Sequence, residues 1–448
     1  MRIIIAGSGV TGTYLATLLS REHHDIILMD TDESKLLPLE ANFDLMTLNY
    51  SPTSIYGLQK ADAKNADLFI AVTPDESSNI ASCVLAHRMG AKKTVARINN
   101  NEYLAPQNIG FFKELGISSM IYPEVLAAKE IANTGSYSWI RQIYEVHRGQ
   151  LLMIGVKMWN TSRLLNIPLR DLGNTEKPYH IVAILRERDN SVIIPNGNDI
   201  IEYGDMVYFM TMKESIPYLQ KLCGKETYKD IHNVMIMGGG KMAMETIKCM
   251  PPSFKLKVIE KDANRIDEIQ GIVNNHVMLI HGDARDLSLL NEEGLTDMQE
   301  FIALTGSSEA NIIACVAARK AGIRKTIARV DNYDYISMAE ELDIGTIINK
   351  QTISASHIYQ MMLKADVSNM KSFTIMDADV AEFTVQRNSP ITKKQIKDLG
   401  LPKGITLGGM VRDNKGMLIN GLTRIQEGDH VVAFCVGNMI QKLQKYFY

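Results

Sequence analysis

The sequence predicts an α/β protein: a duplicated pair of Rossmann-like parallel-sheet lobes, each followed by a small α+β lobe. Three observations predict it. Apolar strand-like runs alternate with helical patterns over residues 1–135 and 232–365. A Gly-rich loop follows the first apolar run of each of those stretches. The chain also repeats itself at long range: Ile5-Ala6-Gly7-Ser8-Gly9 aligns with Ile236-Met237-Gly238-Gly239-Gly240, residues 69–73 with 301–305, and 94–98 with 326–330, always 231 or 232 positions apart. A separation so constant in three segments marks a duplicated half, and it is far too long for a solenoid repeat.

Arg2-Ile3-Ile4-Ile5-Ala6 is a buried-strand run, and Gly7-Ser8-Gly9-Val10-Thr11-Gly12 follows it. A helical pattern then runs from Thr13 to Arg21, and a second strand run over 25–29 ends at Asp30. Strand, G-x-G-x-x-G, helix, strand and acid in this order form a dinucleotide-binding fingerprint, which the glycine pattern alone would not. Gly7 permits the tight turn, Gly9 lets backbone approach a pyrophosphate, and Gly12 lets helix and strand pack closely. The helix N-terminus offers N–H groups and positive dipole to phosphates. Asp30 is placed to accept from both ribose hydroxyls and would repel a 2′-phosphate, which favours NAD(H) over NADP(H). ATP or ADP presents the same diol and remains a candidate.

Three further strands are expected at 45–48, 68–72 and 94–98, giving five in the lobe. Thr73 and Pro74 follow the fourth, at the carboxyl end where ligands of open α/β sheets bind, and a helix should start near Asp75. Ser51 follows the third strand on the adenosine side. Arg97, beside Asn99 and Asn100, suits a phosphate, an interface or a salt bridge to a neighbouring lobe. In the second lobe the loop reads Gly238-Gly239-Gly240-Lys241-Met242-Ala243, with Ala in place of the third Gly. Lys241 and Met242 are expected to add bulk beside the pyrophosphate path. Glu260 supplies the acid, and Asp283 and Thr305 end the third and fourth strands.

Residues 140–222 and 370–448 are richer in short strands and turns. Arg170-Asp171-Leu172-Gly173 matches Lys397-Asp398-Leu399-Gly400, and Gly204-Asp205 matches Gly428-Asp429 as the turn before a last strand. Lys225-Glu226-Thr227-Tyr228-Lys229-Asp230 is a charged break, expected to serve as a linker between halves.

Composition excludes several classes. Hydrophobic residues are 46% and charged residues 22%, as in soluble globular chains, and the net charge of −3 provides no field to hold nucleic acid. No stretch has the roughly 18 apolar residues of a spanning helix, and the N-terminus enters a strand directly, so a cytoplasmic chain is expected. The five cysteines form no C-x-x-C pair; reduced thiols are expected, with no structural zinc site. Neither do the ten histidines form a catalytic set. His23-His24 falls in a polar turn, and His180 and His430 lie in small-lobe strands without counterparts in the other half. No catalytic residue and no metal ligand set is therefore predicted. Cys83 and Cys315 occupy equivalent helices and read as small buried hydrophobes.

With both fingerprints and both small lobes in view, the whole chain resembles the TrkA family, the cytosolic regulatory subunits of bacterial Trk potassium uptake systems. The resemblance rests on Gly7 to Gly12, Asp30, Ala71-Val72-Thr73 with Asp75-Glu76, Ala96-Arg97, and Ile194-Pro195-Asn196-Gly197 through Gly204-Asp205. Two places depart from the pattern: Ile419-Asn420-Gly421 lacks the Pro, and Tyr50-Ser51-Pro52 replaces the Gly-Asp that His281-Gly282-Asp283-Ala284 keeps. The resemblance implies RCK N-terminal lobes at 1–135 and 232–365 and RCK C-terminal lobes at 140–222 and 370–448. It implies a non-enzymatic subunit that binds NAD(H), or ATP or ADP, in its large lobes. Such a subunit assembles as a homo-oligomeric ring of two or four copies beneath a TrkH- or TrkG-type potassium pore, peripheral on the cytoplasmic face of the plasma membrane. Helices near 124–132 and 354–364 would form lobe-to-lobe contacts. An NAD-dependent oxidoreductase, or a subunit of another transporter or antiporter, are the alternatives.

Overall fold

A computed structural model of the chain describes residues 1–448 apart from 21–23, 136, 148, 173–176, 274–275, 363–366, 374–377, 438 and 448. Arg21, His23 and Gly173, named above, and 363–364 at the end of the helix expected near 354–364 lie outside the described residues. The chain divides into two compact units, Met1–Ala127 with Asn349–Met362, and Ala128–Ile348 with Leu363–Tyr448.

The first unit is built on β1 (Arg2–Ala6), β2 (Asp25–Asp30), β3 (Met46–Asn49), β4 (Leu68–Ala71), β5 (Thr94–Arg97) and β6 (Ser119–Ile121). They form one parallel sheet in the order β3-β2-β1-β4-β5-β6. This is the doubly wound order, with its reversal between β1 and β4. Both central strands are covered on two faces, which is why their sequences are continuously apolar rather than alternating. The sheet has one strand more than the sequence predicted. At three residues, Ser-Met-Ile, β6 is too short to show a period. On one face Ile4, Met29, Leu58, Phe69, Cys83 and Phe112 make a core, each large side chain contributing about 1.5–3 kcal/mol by burial.

The helix after β1 spans Val10–Ser20, so it begins three residues before the predicted Thr13, inside the glycine loop itself. It buries Gly12, Leu15, Ala16 and Leu19. Helix Lys350–Met362 comes from the second half of the sequence yet belongs to this unit, where it packs along helix Val10–Ser20. Its first residue pairs with Glu124, Lys350 Nζ standing 3.1 Å from Oε1.

The second unit holds three sheets. The first small lobe has β7 (Gln142–Val146), β8 (Leu151–Lys157), β9 (Tyr179–Leu185), β10 (Val192–Ile193) and β11 (Met206–Thr211), antiparallel in the order β10-β9-β11-β8-β7. The second large lobe has β12 (Asn233–Met237), β13 (Lys255–Glu260), β14 (Val277–His281), β15 (Glu300–Ala303), β16 (Lys325–Arg329) and β17 (Thr346–Ile348), and its order repeats that of the first large lobe. The second small lobe has β18 (Val367–Phe373), β19 (Ala378–Thr384), β20 (Ile405–Arg412), β21 (Lys415–Leu418) and β22 (His430–Val436), ordered β18-β19-β22-β20-β21. The small lobes share one core, in which Val146, Leu151, Val182 and Met210 meet Val380, Val411, Val432 and Phe434.

The matched Gly-Asp turns are built alike. Gly204 and Gly428 take φ of +85° and +84°, and the following aspartate is pinned by an arginine from the neighbouring strand. Arg186 Nη1 donates to Asp205 at 2.9 Å, and Arg412 Nε donates to Asp429 at 2.8 Å. The stretch from Lys225 to Asp230 leads from the first small lobe to β12 with Glu226, Thr227, Lys229 and Asp230 exposed, but its first residue is buried. Lys225 is 2% exposed, with its ammonium 5.6 Å from the Trp159 ring centroid and 5.3 Å from that of Tyr228. Asp230 bridges to Tyr137, and Ser138 Oγ donates to Lys229 O at 2.7 Å. The aliphatic stem of a lysine buries readily against aromatic faces, so charge alone does not keep Lys225 in water. Desolvation pushes the Lys225 amine down to about 8.

Candidate functional site

In each large lobe the turn after the first strand and the turn after the fourth meet at the switch point of the sheet. In the first lobe Gly7 has φ +109°, and a Cβ there would stand 3.0 Å from Thr73 N. In the second Gly238 has φ +96°, and a Cβ would stand 3.2 Å from Thr305 Cγ2. Both positions therefore need glycine twice over, for backbone sign and for space. Above the middle glycines, Gly9 and Gly240, a Cβ would meet nothing within 4 Å. That open ground over a helix N-terminus fits a pyrophosphate.

The acids at the ends of β2 and β13 close over these loops. Asp30 Oδ2 accepts from Ser8 N at 2.6 Å and from Ser8 Oγ at 2.8 Å, while Oδ1 accepts from Asp32 N at 3.0 Å. Burial pushes this carboxyl upward, but the Ser8 and Asp32 N–H groups, the Ser8 hydroxyl and Lys35 together hold it below the usual carboxylate range. Glu260 Oε2 accepts from Gly239 N at 2.6 Å in the same way, without a hydroxyl to assist. Each acid is thus held at the edge of its loop, where a ribose diol would lie.

Thr73 and Thr305 are each gripped by an asparagine that the motif reading did not single out. Asn79 Oδ1 accepts from Thr73 N at 2.9 Å and Thr73 Oγ1 at 2.7 Å, and Asn79 Nδ2 donates to Thr73 O and Arg97 O, both at 3.0 Å. Asn311 repeats the set: its Oδ1 accepts from Thr305 N at 3.1 Å and Oγ1 at 2.6 Å, and its Nδ2 donates to Thr305 O at 3.1 Å and Arg329 O at 2.8 Å. Both asparagines are buried, and they tie the end of one strand to the end of the next. Their 232-residue separation was the available signal. Asp75 caps helix Glu76–Met89 as expected, accepting from Ser78 N at 2.8 Å, and Pro74 is exposed beside it.

The lobes differ in their charges. Arg97 forms no ion pair among the described residues, and its buried Nε finds no hydrogen-bond partner there. Its equivalent, Arg329, is held by Asp331, with Nε 2.8 Å from Oδ2. The position matching Asp331 is Asn99, which explains the contrast. On the adenosine side, Ser51 Oγ and Thr53 Oγ1 share a hydrogen bond of 2.9 Å. Asp283 is paired within its own turn, Arg285 Nε lying 2.9 Å from Oδ1, and this pairing holds its carboxyl at about 2. One expectation is overturned. Met242 is 2% exposed and points into the core, so only Lys241, on the exposed side, stands near the phosphate path. The second residue of a helix that opens at a Gly-rich turn faces inward on the 3.6-residue period.

The free thiols of Cys83, Cys223, Cys315 and Cys435 are buried, and desolvation raises all four. Cys83 and Cys315 lie in the apolar cores of their large lobes. Among the described residues no helix is long and apolar enough to cross a membrane.

Comparison with known proteins finds two domain types, each matched twice. Residues 3–123 and 234–350 match the TrkA-N domain, and residues 154–224 and 380–448 match the TrkA-C domain. The Trk system potassium uptake protein TrkA of Haemophilus influenzae is 31% identical over 97% of this chain and 95% of its own length. That of Halomonas elongata is 27% identical over 97% and 96%. The TrkA homolog of Archaeoglobus fulgidus is 27% identical over the full length of both. Among solved structures, the GsuK RCK domain superposes with a TM-score of 0.60 at 15% identity, covering all of this chain and 94% of that one. The GsuK channel bound to NAD superposes equally well at 14% identity, covering 78% of that chain.

Proposed function

Because the chain belongs to the TrkA family, we propose that it is the nucleotide-sensing regulatory subunit of a potassium uptake transporter, with NAD(H) as its ligand and ATP or ADP as competitors. The observation that carries the reading is the pairing, in both large lobes, of an open glycine turn with a carboxyl side chain hydrogen-bonded at its rim. Around this pair the first lobe presents Gly7, Ser8, Gly9, Val10, Thr11 and Gly12 to the pyrophosphate, Asp30 to the ribose, Ser51 to the adenosine side, and Thr73, Pro74 and Arg97 to the phosphates. The second presents Gly238, Gly239, Gly240 and Lys241 with Glu260, Asp283 and Thr305. A GsuK channel with the same lobe architecture has been solved with NAD, which supports the choice of ligand.

The partner is a membrane potassium-translocating protein of the TrkH or TrkG type, beneath which copies of this chain form a ring on the cytoplasmic face. A nucleotide shifts such a ring only by binding one of its conformations more tightly than the other. Pore state must then alter nucleotide affinity by the same factor. In this reading the chain works by binding alone.

The test is titration of the full chain with NADH, NAD and ATP, together with potassium flux through vesicles carrying the pore protein. Asp30→Ala should weaken NADH by about 1.5–3 kcal/mol for each charge-assisted ribose bond lost, roughly tenfold or more. Unchanged affinity would remove the site assignment. NADH turnover with a small substrate would replace the sensor by an oxidoreductase.

A further inference from the structure

The two small lobes bring together three side chains that the nucleotide sites do not use. His147 follows β7, Glu382 lies on β19 and His430 opens β22. One donor atom of each lies within 4.8 Å of the other two. Both imidazoles converge on one oxygen: His147 Nδ1 is 3.4 Å and His430 Nδ1 is 3.3 Å from Glu382 Oε1. We propose that His147, Glu382 and His430 form a binding site for a divalent transition-metal ion of the zinc class, which clamps the first small lobe to the second.

Three features carry this. The first is the spacing. Charge-assisted hydrogen bonds between nitrogen and carboxylate run about 2.7–2.9 Å, shorter than either contact. Zinc binds imidazole nitrogen and carboxylate oxygen at about 2.0–2.2 Å in tetrahedral geometry, which sets neighbouring ligand atoms about 3.4 Å apart. Both contacts match that edge. The second is the tautomer. His147 Nε2 stands 3.1 Å from Asn414 Oδ1, a carbonyl oxygen that can only accept. A neutral His147 that donates there has a bare lone pair on Nδ1, turned toward a carboxylate oxygen. A metal ion between them, or a proton on Nδ1, would relieve that meeting of acceptors. An imidazole whose far nitrogen is fixed by a carbonyl is also the usual support for a metal-bound histidine. The third is the setting. Glu382 is 3% exposed, and the two rings stand 4.3 Å apart between centroids, while both imidazoles keep a partly exposed edge. Three protein ligands with one side open to water leave a fourth coordination position for a solvent molecule.

His147 takes φ +44°, and the turn that holds it belongs to one lobe while both other ligands belong to the other. The ion would therefore close a loop of more than two hundred residues, and its binding energy would add to the stability of the shared small-lobe core. Thr384 Oγ1, 3.3 Å from His430 Nδ1, is placed to give up that contact when the metal takes the nitrogen.

The experiment uses the full chain stripped with a chelator and titrated with zinc chloride by calorimetry, with cobalt as a spectroscopic probe. The expected result is one zinc per chain, a rise in melting temperature, and the intense visible bands of tetrahedral cobalt. His147→Ala and His430→Ala should each weaken zinc by about 100-fold or more, and Asn414→Ala by about tenfold through the lost support of the ring. NADH titration of each variant serves as the control for folding, since the nucleotide loops lie elsewhere in the sequence. Absence of stoichiometric zinc, or zinc retained with full affinity in both histidine variants, overturns the proposal. If the histidine variants lose NADH binding as well, Glu382→Gln decides. It keeps the shape and removes only the anionic ligand, so unchanged zinc affinity there also overturns the proposal.

Discussion

The two large lobes share a scaffold and differ in what they turn toward a ligand. Strand order, the positive-φ glycine, the acid at the loop edge and the buried asparagine are the same in both. The differences lie at the rim. The first lobe has a serine hydroxyl on its acid and an arginine without an ionic partner among the described residues; the second has a glycine there and an arginine already neutralised by Asp331. Its Asp283 is likewise spent on Arg285. Duplication kept the parts that hold the turn in shape and let the charges drift, so the two sites should differ in affinity rather than in architecture.

The sharpest way to break this comparison is at the third glycine position. A Cβ on Gly12 would stand 1.8 Å from Gly7 O, yet Ala243 carries one at the equivalent place while fully buried. The first loop is therefore the tighter of the two. Gly12→Ala should cost about 3 kcal/mol in chemical denaturation of the first lobe and abolish its nucleotide binding. Ala243→Gly should cost only about 1 kcal/mol, from helix propensity. Equal costs in the two lobes would refute the difference in tightness.

Next in size is the shared scaffold. Asn79→Ala and Asn311→Ala each strand buried partners at two strand ends, and each should lose about 2–3 kcal/mol in denaturant unfolding. The two losses should agree, since the hydrogen bonds do; a disparity would mean that the lobes are not mechanically equivalent.

Exchange of the acidic neighbour sharpens the electrostatic half. Asn99→Asp gives Arg97 the partner that Arg329 has, and Asp331→Asn removes that partner from Arg329. NADH affinity should fall roughly tenfold at the first site and rise by a similar factor at the second, about 1.4 kcal/mol each way. Affinities that fail to move in opposite directions would exclude both arginines from phosphate binding.

The smallest expected effect is on pH. The folded pKa of Asp30 lies below its unfolded value, so the stabilisation it provides is complete above that unfolded value, near 4. It fades only as pH falls through the lower folded value. Stability of the first lobe should be flat from neutral pH to about 5, and the acid-side loss should be partly removed in Asp30→Asn. A loss centred near neutral pH would point to a different group.

Much of this was legible in the chain. The loop at Gly7, the acid at Asp30 and the turn at Gly204-Asp205 lie within short stretches whose periodicity and turn chemistry act locally. The sixth strands escaped notice because three residues carry no period. Met242 was misplaced because the motif gives spacing along the chain and not the face of the helix. The burial of Lys225 was not legible because one of the two rings beside its ammonium, Trp159, lies far away in the sequence.

By itself the sequence determined the duplication, the two nucleotide-type turns and the acids beside them, since these depend on backbone conformation and residues within about one βαβ unit of each other. Only the tertiary structure decided that Arg97 has no ionic partner among the described residues, that Asn79 and Asn311 tie strand ends together, and that His147 meets Glu382 and His430 across two lobes. Such meetings depend on how sheets pack, and packing sets side-chain partners by proximity in space, which separation along a chain does not encode.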